Sequence, residues 1–114
     1  MTLSKELVAA STIPLVLSLL AHEDSYGYAL IKQIRDLSGE RIAWSDGMLY
    51  PVLRRLEAQS LIASYWNQTA GGRRRRYYRI ENSGRQELDR LIEQWSLVSR
   101  VITGLQKENP SCSS

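Results

Sequence analysis

Ser45-Asp46-Gly47-Met48-Leu49-Tyr50-Pro51-Val52-Leu53-Arg54-Arg55-Leu56-Glu57 reads as the start and body of one amphipathic helix. The Ser45 hydroxyl is placed to accept a first-turn N–H, and Asp46 sets negative charge at the positive end of the helix dipole. The helix predicted from this cap runs to about Gln59. Leu49, Val52, Leu53 and Leu56 recur at helical spacing and define its core face. Gly47, Pro51, Arg54, Arg55 and Ala58 are thereby turned outward, with Met48 and Tyr50 flanking that outer face. Pro51 predicts a bend, because inside a helix it removes one backbone hydrogen bond.

Upstream, a second helix is expected from about Tyr26 to Leu37, with Leu30, Ile34 and Leu37 on one face and Ser38-Gly39 as its stop. Glu23-Asp24-Ser25 separates it from a first helix expected over Ser11 to His22. Ser11 or Thr12 is the predicted cap, since Pro14 belongs in a first turn. Residues before Ser11 either extend that helix or cross to a partner. The run from Ile13 to Ala21, with Lys5 ahead of it, superficially resembles the apolar region of a signal peptide. Glu6 in the expected positive region, no clear small-residue cleavage site, and a length below the roughly 20 residues of a membrane helix argue instead for a buried core helix.

Downstream, Leu61-Ile62-Ala63-Ser64-Tyr65-Trp66 and Arg75-Arg76-Tyr77-Tyr78-Arg79-Ile80 flank a polar loop containing Gly71-Gly72. This is the pattern of a two-stranded hairpin, with Arg41-Ile42-Ala43 as a candidate third strand at its edge. A last helix is expected from Asn82 or Ser83 to about Gln106. Leu88, Leu91, Trp95, Val98, Ile102 and Leu105 follow one another along it at spacings of 3, 4, 3, 4 and 3, a heptad seam. Three helices and a hairpin do not easily cover so long a stripe, so its simplest sink is a second copy of the chain.

The 114 residues, 43% hydrophobic and 24% charged, suit one compact core. The fold class expected is mainly α with a small β-hairpin: a winged helix-turn-helix over residues 1–80, a C-terminal dimerisation helix over 81–106, and a disordered tail over 107–114. The only cysteine, Cys112, falls in that tail, which leaves no internal disulfide or zinc cluster and fits a cytoplasmic protein. His22 is the only histidine and has no nucleophile or metal ligand at a recognisable spacing, so neither an enzyme nor a cofactor or metal site is expected. Gly71 and Gly72 do not open a helix after a strand, which excludes a phosphate-binding loop.

Two short helices, the second outwardly small, aromatic and basic, followed by a hairpin, is the order of a DNA-reading module. Lys and Arg exceed Asp and Glu only by 15 to 12, but Arg73-Arg74-Arg75-Arg76 concentrates the excess at the expected wing tip. Phosphates relieve such crowding and release counterions, which makes affinity fall with salt. The predicted DNA-contacting set is Tyr28 and Lys32 from the second helix, Ser45, Gly47, Met48, Tyr50, Pro51, Arg54 and Arg55 from the third, and Arg73, Arg74, Arg75 and Arg76 from the wing. The competing class is a winged-helix protein-interaction module that holds an acidic partner and no nucleic acid. At a twofold seam Trp95 either packs closed against its mate or stands apart and leaves a slot for a planar apolar molecule. The predicted effector or dimer set is Ile13, Pro14, Leu88, Leu91, Ile92, Trp95, Val98, Ser99 and Ile102. Trp66 is read as hairpin packing and Trp44 as part of a partly exposed turn.

Tyr26-Gly27-Tyr28, the stretch from Ser45 to Glu57, and Gly71-Gly72-Arg73-Arg74-Arg75-Arg76-Tyr77-Tyr78-Arg79-Ile80 together resemble the signature stretches of the PadR family of bacterial transcriptional regulators, in its short form. The resemblance covers residues 6 to 106. It implies a dimeric winged-helix repressor whose third helix and wing contact operator DNA, and it accounts for Pro51, since the family places a proline after that tyrosine. Ser64-Tyr65-Trp66 and Glu93-Gln94-Trp95-Ser96 are further similar to the lactococcal multidrug-binding branch, in which the tryptophan at the Trp95 site stacks on flat drugs. Ser99 stands where that branch has an acidic residue, and Ile13-Pro14 replace a slimmer, more polar pair. Met48 and Glu81 replace the family's usual threonines, which assigns the last helix cap to Asn82 or Ser83.

Overall fold

The computed structural model describes residues 2–68 and 71–107. Four helices and three strands follow in the order α1 (Lys5–His22), β1 (Ser25–Tyr26), α2 (Gly27–Leu37), α3 (Asp46–Ala58), β2 (Ile62–Gln68), β3 (Arg74–Ile80) and α4 (Asn82–Lys107). The fold is mostly helical with a small antiparallel sheet, as the residue pattern predicts. Tail residues 108–114, including Cys112, lie outside the described residues.

Helix α3 forms as its sequence dictates. Ser45 caps it, its Oγ accepting from the Met48 N–H at 3.2 Å, and Leu49, Leu53 and Leu56 are wholly buried. Val52 is half-buried against the same core. Both α2 and α3 stop in a left-handed residue after the cap: Gly39 at φ 61° and Ser60 at φ 61°. In each case the following N–H reaches back five residues, Glu40 to the Arg35 carbonyl and Leu61 to the Leu56 carbonyl, which satisfies carbonyls the helix end would orphan.

Helix α1 begins earlier than expected. Ser4, not Ser11 or Thr12, is the cap, its Oγ accepting from the Leu7 N–H at 3.1 Å. The Ser11 and Thr12 hydroxyls instead donate back to the Val8 carbonyl from inside the helix. Pro14 therefore lies mid-helix and not in a first turn. Ala10, whose carbonyl loses its N–H partner there, is an exposed residue, which makes the lost bond tolerable. The 18-residue helix is long and apolar enough to cross a membrane by length and composition alone, contrary to the shorter run read from sequence. Thr12, Val16, Leu17 and Leu20 are nevertheless buried, and α1 packs on α4, β3 and α2.

The sheet order is β1-β3-β2, with Ser25 opposite Tyr78 and Ser64 opposite Tyr78 on the other side. The third strand is thus Ser25–Tyr26 and not Arg41-Ile42-Ala43. The latter segment does alternate, with Ile42 and Trp44 buried and Arg41, Ala43 and Ser45 exposed. Its burial has the period of a strand, but it is the apolar core that holds it, not a backbone ladder. Trp44, expected in a partly exposed turn, is 3% exposed for that reason. Leu37, expected beside Leu30 and Ile34, is 75% exposed, because it sits in the last turn of α2 at the rim of an open apolar pocket.

Helix α4 is docked at its start. Gly84 is buried so closely against the Leu61 carbonyl and Ile80 that no side chain would fit. The Ser83 hydroxyl, expected as a cap, donates to the Ser60 carbonyl at 2.6 Å and ties the helix to the turn after α3, and Asn82 is itself the first helical residue. Leu88 is buried and Leu91 partly so. Beyond them Ile92, Leu97, Val98, Val101, Ile102 and Leu105 are each more than half exposed.

Candidate nucleic-acid interface

Packing of the α3 core face leaves Gly47, Pro51, Arg54 and Arg55 exposed, as the periodicity requires. A side chain on Gly47 would meet nothing in the protein, so this part of the helix is open to close approach from outside. Met48 is different, being half-buried against the core. Tyr50 is also half-buried, its ring lying on Gly27 at the start of α2, where a Cβ would strike the phenol. That contact brings the two helices together through the absence of one side chain.

Tyr28, 64% exposed, and Lys32 present themselves on α2. A cleft of about 660 Å³ lies between α2, α3 and the sheet, lined by Tyr26, Gly27, Tyr28, Tyr50, Arg54, Glu57, Ala58, Arg75, Arg76 and Tyr78. Tyr28, Tyr50, Arg54, Arg75 and Arg76 of the predicted set thus converge on one concavity. Burial holds the Tyr78 phenol above its ordinary pKa at the floor of that cleft.

The four consecutive arginines do not form one uniform tip. Only Arg73 lies in the turn, and Arg74, Arg75 and Arg76 are strand residues paired with Gln68, Asn67 and Trp66. Strand alternation sends Arg74 and Arg76 to the face of buried Tyr78, and Arg75 to the opposite face with Tyr77 and Arg79. Arg76 is ion-paired with Glu57 of α3 at 3.1 Å. Arg75 stacks its guanidinium 4.5 Å from the centre of the Tyr26 ring. Arg74 lies 5.1 Å above Trp66, which is 58% exposed. Arg75 and Arg76 are therefore each held by a partner in the domain, although 47% of the Arg76 side chain stays exposed, and Arg73 and Arg74 face outward.

The solvent face of the sheet carries a row that sequence reading did not single out. Tyr77 meets Tyr26 edge-on at 5.2 Å and stacks on Tyr65 at 5.8 Å, joining all three strands. The Tyr65 phenol donates to Asp24 Oδ2 at 2.6 Å, and that bond, with burial, holds its pKa above the ordinary value. Glu57 was missed as well: its partners Ser64 and Arg76 are remote in sequence, and only the hairpin brings them to it.

Away from that cleft, with no lining residue in common, an apolar groove of about 440 Å³ lies between α1 and α4. Pro14, Ile92, Trp95 and Ser99 of the predicted effector set line it, with Ser11, Leu15, Ser18 and Ser96. Ile13 instead packs partly against the core, Leu88 and Leu91 belong to the core, and Val98 and Ile102 are exposed outside the groove lining. Trp95 is 41% exposed within the single chain.

Residues 16–90 match the model of the transcriptional regulator PadR-like family. A transcriptional regulator from Clostridium thermocellum superposes with a TM-score of 0.82 at 33% identity, over 90% of this chain and 97% of that one. A PadR family transcriptional regulator from Eggerthella lenta gives 0.78 at 36% identity, over 91% and 88%. The transcriptional regulator YqjI of Escherichia coli is 31% identical over 83% of this chain, which spans 46% of that longer relative. The same signature residues that build the cleft thus lie within a match covering most of the folded head, and the chain belongs to the PadR-like family of transcriptional regulators.

Proposed function

We propose that the chain is a cytoplasmic, sequence-specific DNA-binding regulator that acts as a repressor and works as a homodimer, two copies of α3 reading two half-sites of a duplex operator. The observation that carries this reading is the outward face of α3: unobstructed at Gly47, cationic at Arg54 and Arg55, and continuous through Arg54 with a cleft shared by α2 and the wing. A major groove admits one such helix. Residues 1–80 form the reading head and residues 81–106 the dimerisation helix. Backbone phosphates fall to Lys32, Arg54, Arg55, Arg73 and Arg74, while Ser45, Gly47, Met48 and Pro51 lie nearest the base edges. Tyr28 and Tyr50 border the cleft, and Arg75 and Arg76 shape the wing from within it.

Control by a planar apolar effector is part of this proposal, in keeping with the resemblance to the multidrug-binding branch. Its support is the groove that gathers Trp95, Pro14, Ile92 and Ser99 where α1 meets α4. An effector acts there by preferring one spacing of the two reading heads over another.

The test is retention of duplex DNA in a gel-shift series from low to high salt. Replacing Arg73 and Arg74 together by alanine is expected to weaken binding and to flatten the salt slope by about 1.8, since each lost phosphate contact accounts for about 0.9. Wild-type protein that retains no duplex even at low salt overturns the proposal in favour of a protein-interaction module.

A further inference from the structure

Glu57 lies one residue from the end of α3, at the hinge between the reading helix and the wing. Both its carboxylate oxygens are engaged. One terminal nitrogen of Arg76 donates to Oε1 at 3.1 Å and to Oε2 at 3.3 Å, and the Ser64 hydroxyl donates to Oε2. Ser64 comes from β2 and Arg76 from β3, so one carboxylate ties both wing strands to the helix. Backbone bonds in the connecting turn, such as Leu61 N–H to the Leu56 carbonyl, hold the base of the wing to α3. Further out the described contacts are apolar packing around Leu53, Leu56, Ile62 and Tyr78, which is non-directional and sets the wing angle less closely than a hydrogen-bonded carboxylate does.

A carboxylate in a cleft lined by Arg54, Arg75 and Arg76 opposes attraction of phosphate, so raw affinity does not explain it. Geometry and restraint of charge do. An unpaired Arg76 would add a backbone contact of any sequence, raising affinity for all duplexes alike. We propose that Glu57 is a specificity-determining positioning residue, which fixes the angle between α3 and the wing through Ser64 and Arg76 and withholds Arg76 from the DNA backbone. This rests on the DNA-binding reading given above. The outcome is a wing that, among the described residues, keeps Arg73 and Arg74 without a carboxylate partner while Arg76 and Arg79 are ion-paired. Its reach from α3 is set, so that only a duplex of matching groove geometry engages both α3 and the wing.

The probes are a duplex selected by the wild-type protein from a randomised pool and a scrambled duplex of the same length and composition. Glu57→Gln is expected to bind the scrambled duplex more tightly, with a salt slope steeper by about 0.9, while the selected-to-scrambled affinity ratio falls on the order of tenfold. Glu87→Gln, which makes the same charge change at an ion pair on α4, is expected to leave the ratio unchanged. Arg76→Ala is expected to lose the same discrimination with no change in slope. Should Glu57→Gln compromise folding, Ser64→Ala keeps every charge and is still expected to lower the ratio. An unchanged ratio in Ser64→Ala and Glu57→Gln, or a slope that flattens by about 0.9 in Arg76→Ala, overturns the inference while leaving DNA binding intact. Wild-type protein that selects no duplex overturns both.

Discussion

Helices α3 and α4 carry the same kind of apolar stripe, yet the chain closes one and leaves the other open. Leu49, Leu53 and Leu56 of α3 are wholly buried, whereas on α4 burial ends at Leu91 and Val98, Ile102 and Leu105 are 58%, 56% and 59% exposed. The difference is one of neighbours. Helix α3 lies among α2, the sheet and the buried side chains of α1, while α4 at 26 residues is about 39 Å long and, among the described residues, outruns the elements that could cover it. A helical stripe identifies a face that needs covering, and it does not say whether the cover lies in the same chain.

The closed face of α3 gives the largest response to substitution. Leu53→Ala is expected to cost about 2–5 kcal/mol of unfolding free energy, because it leaves a cavity in a site with no solvent access; chemical denaturation measures it. A cost below about 1 kcal/mol would mean that the α3 face is not the closed core described here. At α4 the expected effect moves from folding to association. Replacing Val98 and Ile102 together by lysine leaves far-UV circular dichroism unchanged and weakens self-association by at least about 2 kcal/mol, so that sedimentation shifts from dimer to monomer at micromolar concentration. A wild-type chain that is already monomeric there removes the proposed dimer.

The smallest effect concerns the groove at the junction of the closed and open parts of α4. A planar dye at ten times its dissociation constant is expected to quench tryptophan fluorescence and to stabilise the fold by about 1.4 kcal/mol. Trp95→Ala is expected to abolish both signals. Quenching that survives the substitution would place the dye elsewhere.

The charged surfaces teach a related lesson. Four adjacent arginines look equivalent along the chain, but a strand sends alternate side chains to opposite faces. One face offers Arg76 a carboxylate and the other offers Arg75 an aromatic ring, whereas Arg74 lies over the exposed ring of Trp66 and Arg73 sits before the strand. The contact of Tyr26, Tyr65 and Tyr77 was not legible in sequence for the same reason: it depends on strand order, with β1 and β2 on either side of β3.

The amino-acid sequence alone determined the features written in local periodicity and capping chemistry: α3 from its Ser45 cap to its Gln59 stop, the end of α2 at Ser38-Gly39, the hairpin, and the outward set of Gly47, Pro51, Arg54 and Arg55. Tertiary structure alone decided which strand completes the sheet, that Trp44 is core, that α1 continues past Pro14, and that Glu57 gathers Ser64 and Arg76. The physical reason is range. Helix caps and turns are settled within a few residues by the hydrogen bonds of one segment, whereas burial and ion pairing depend on which distant segment arrives alongside.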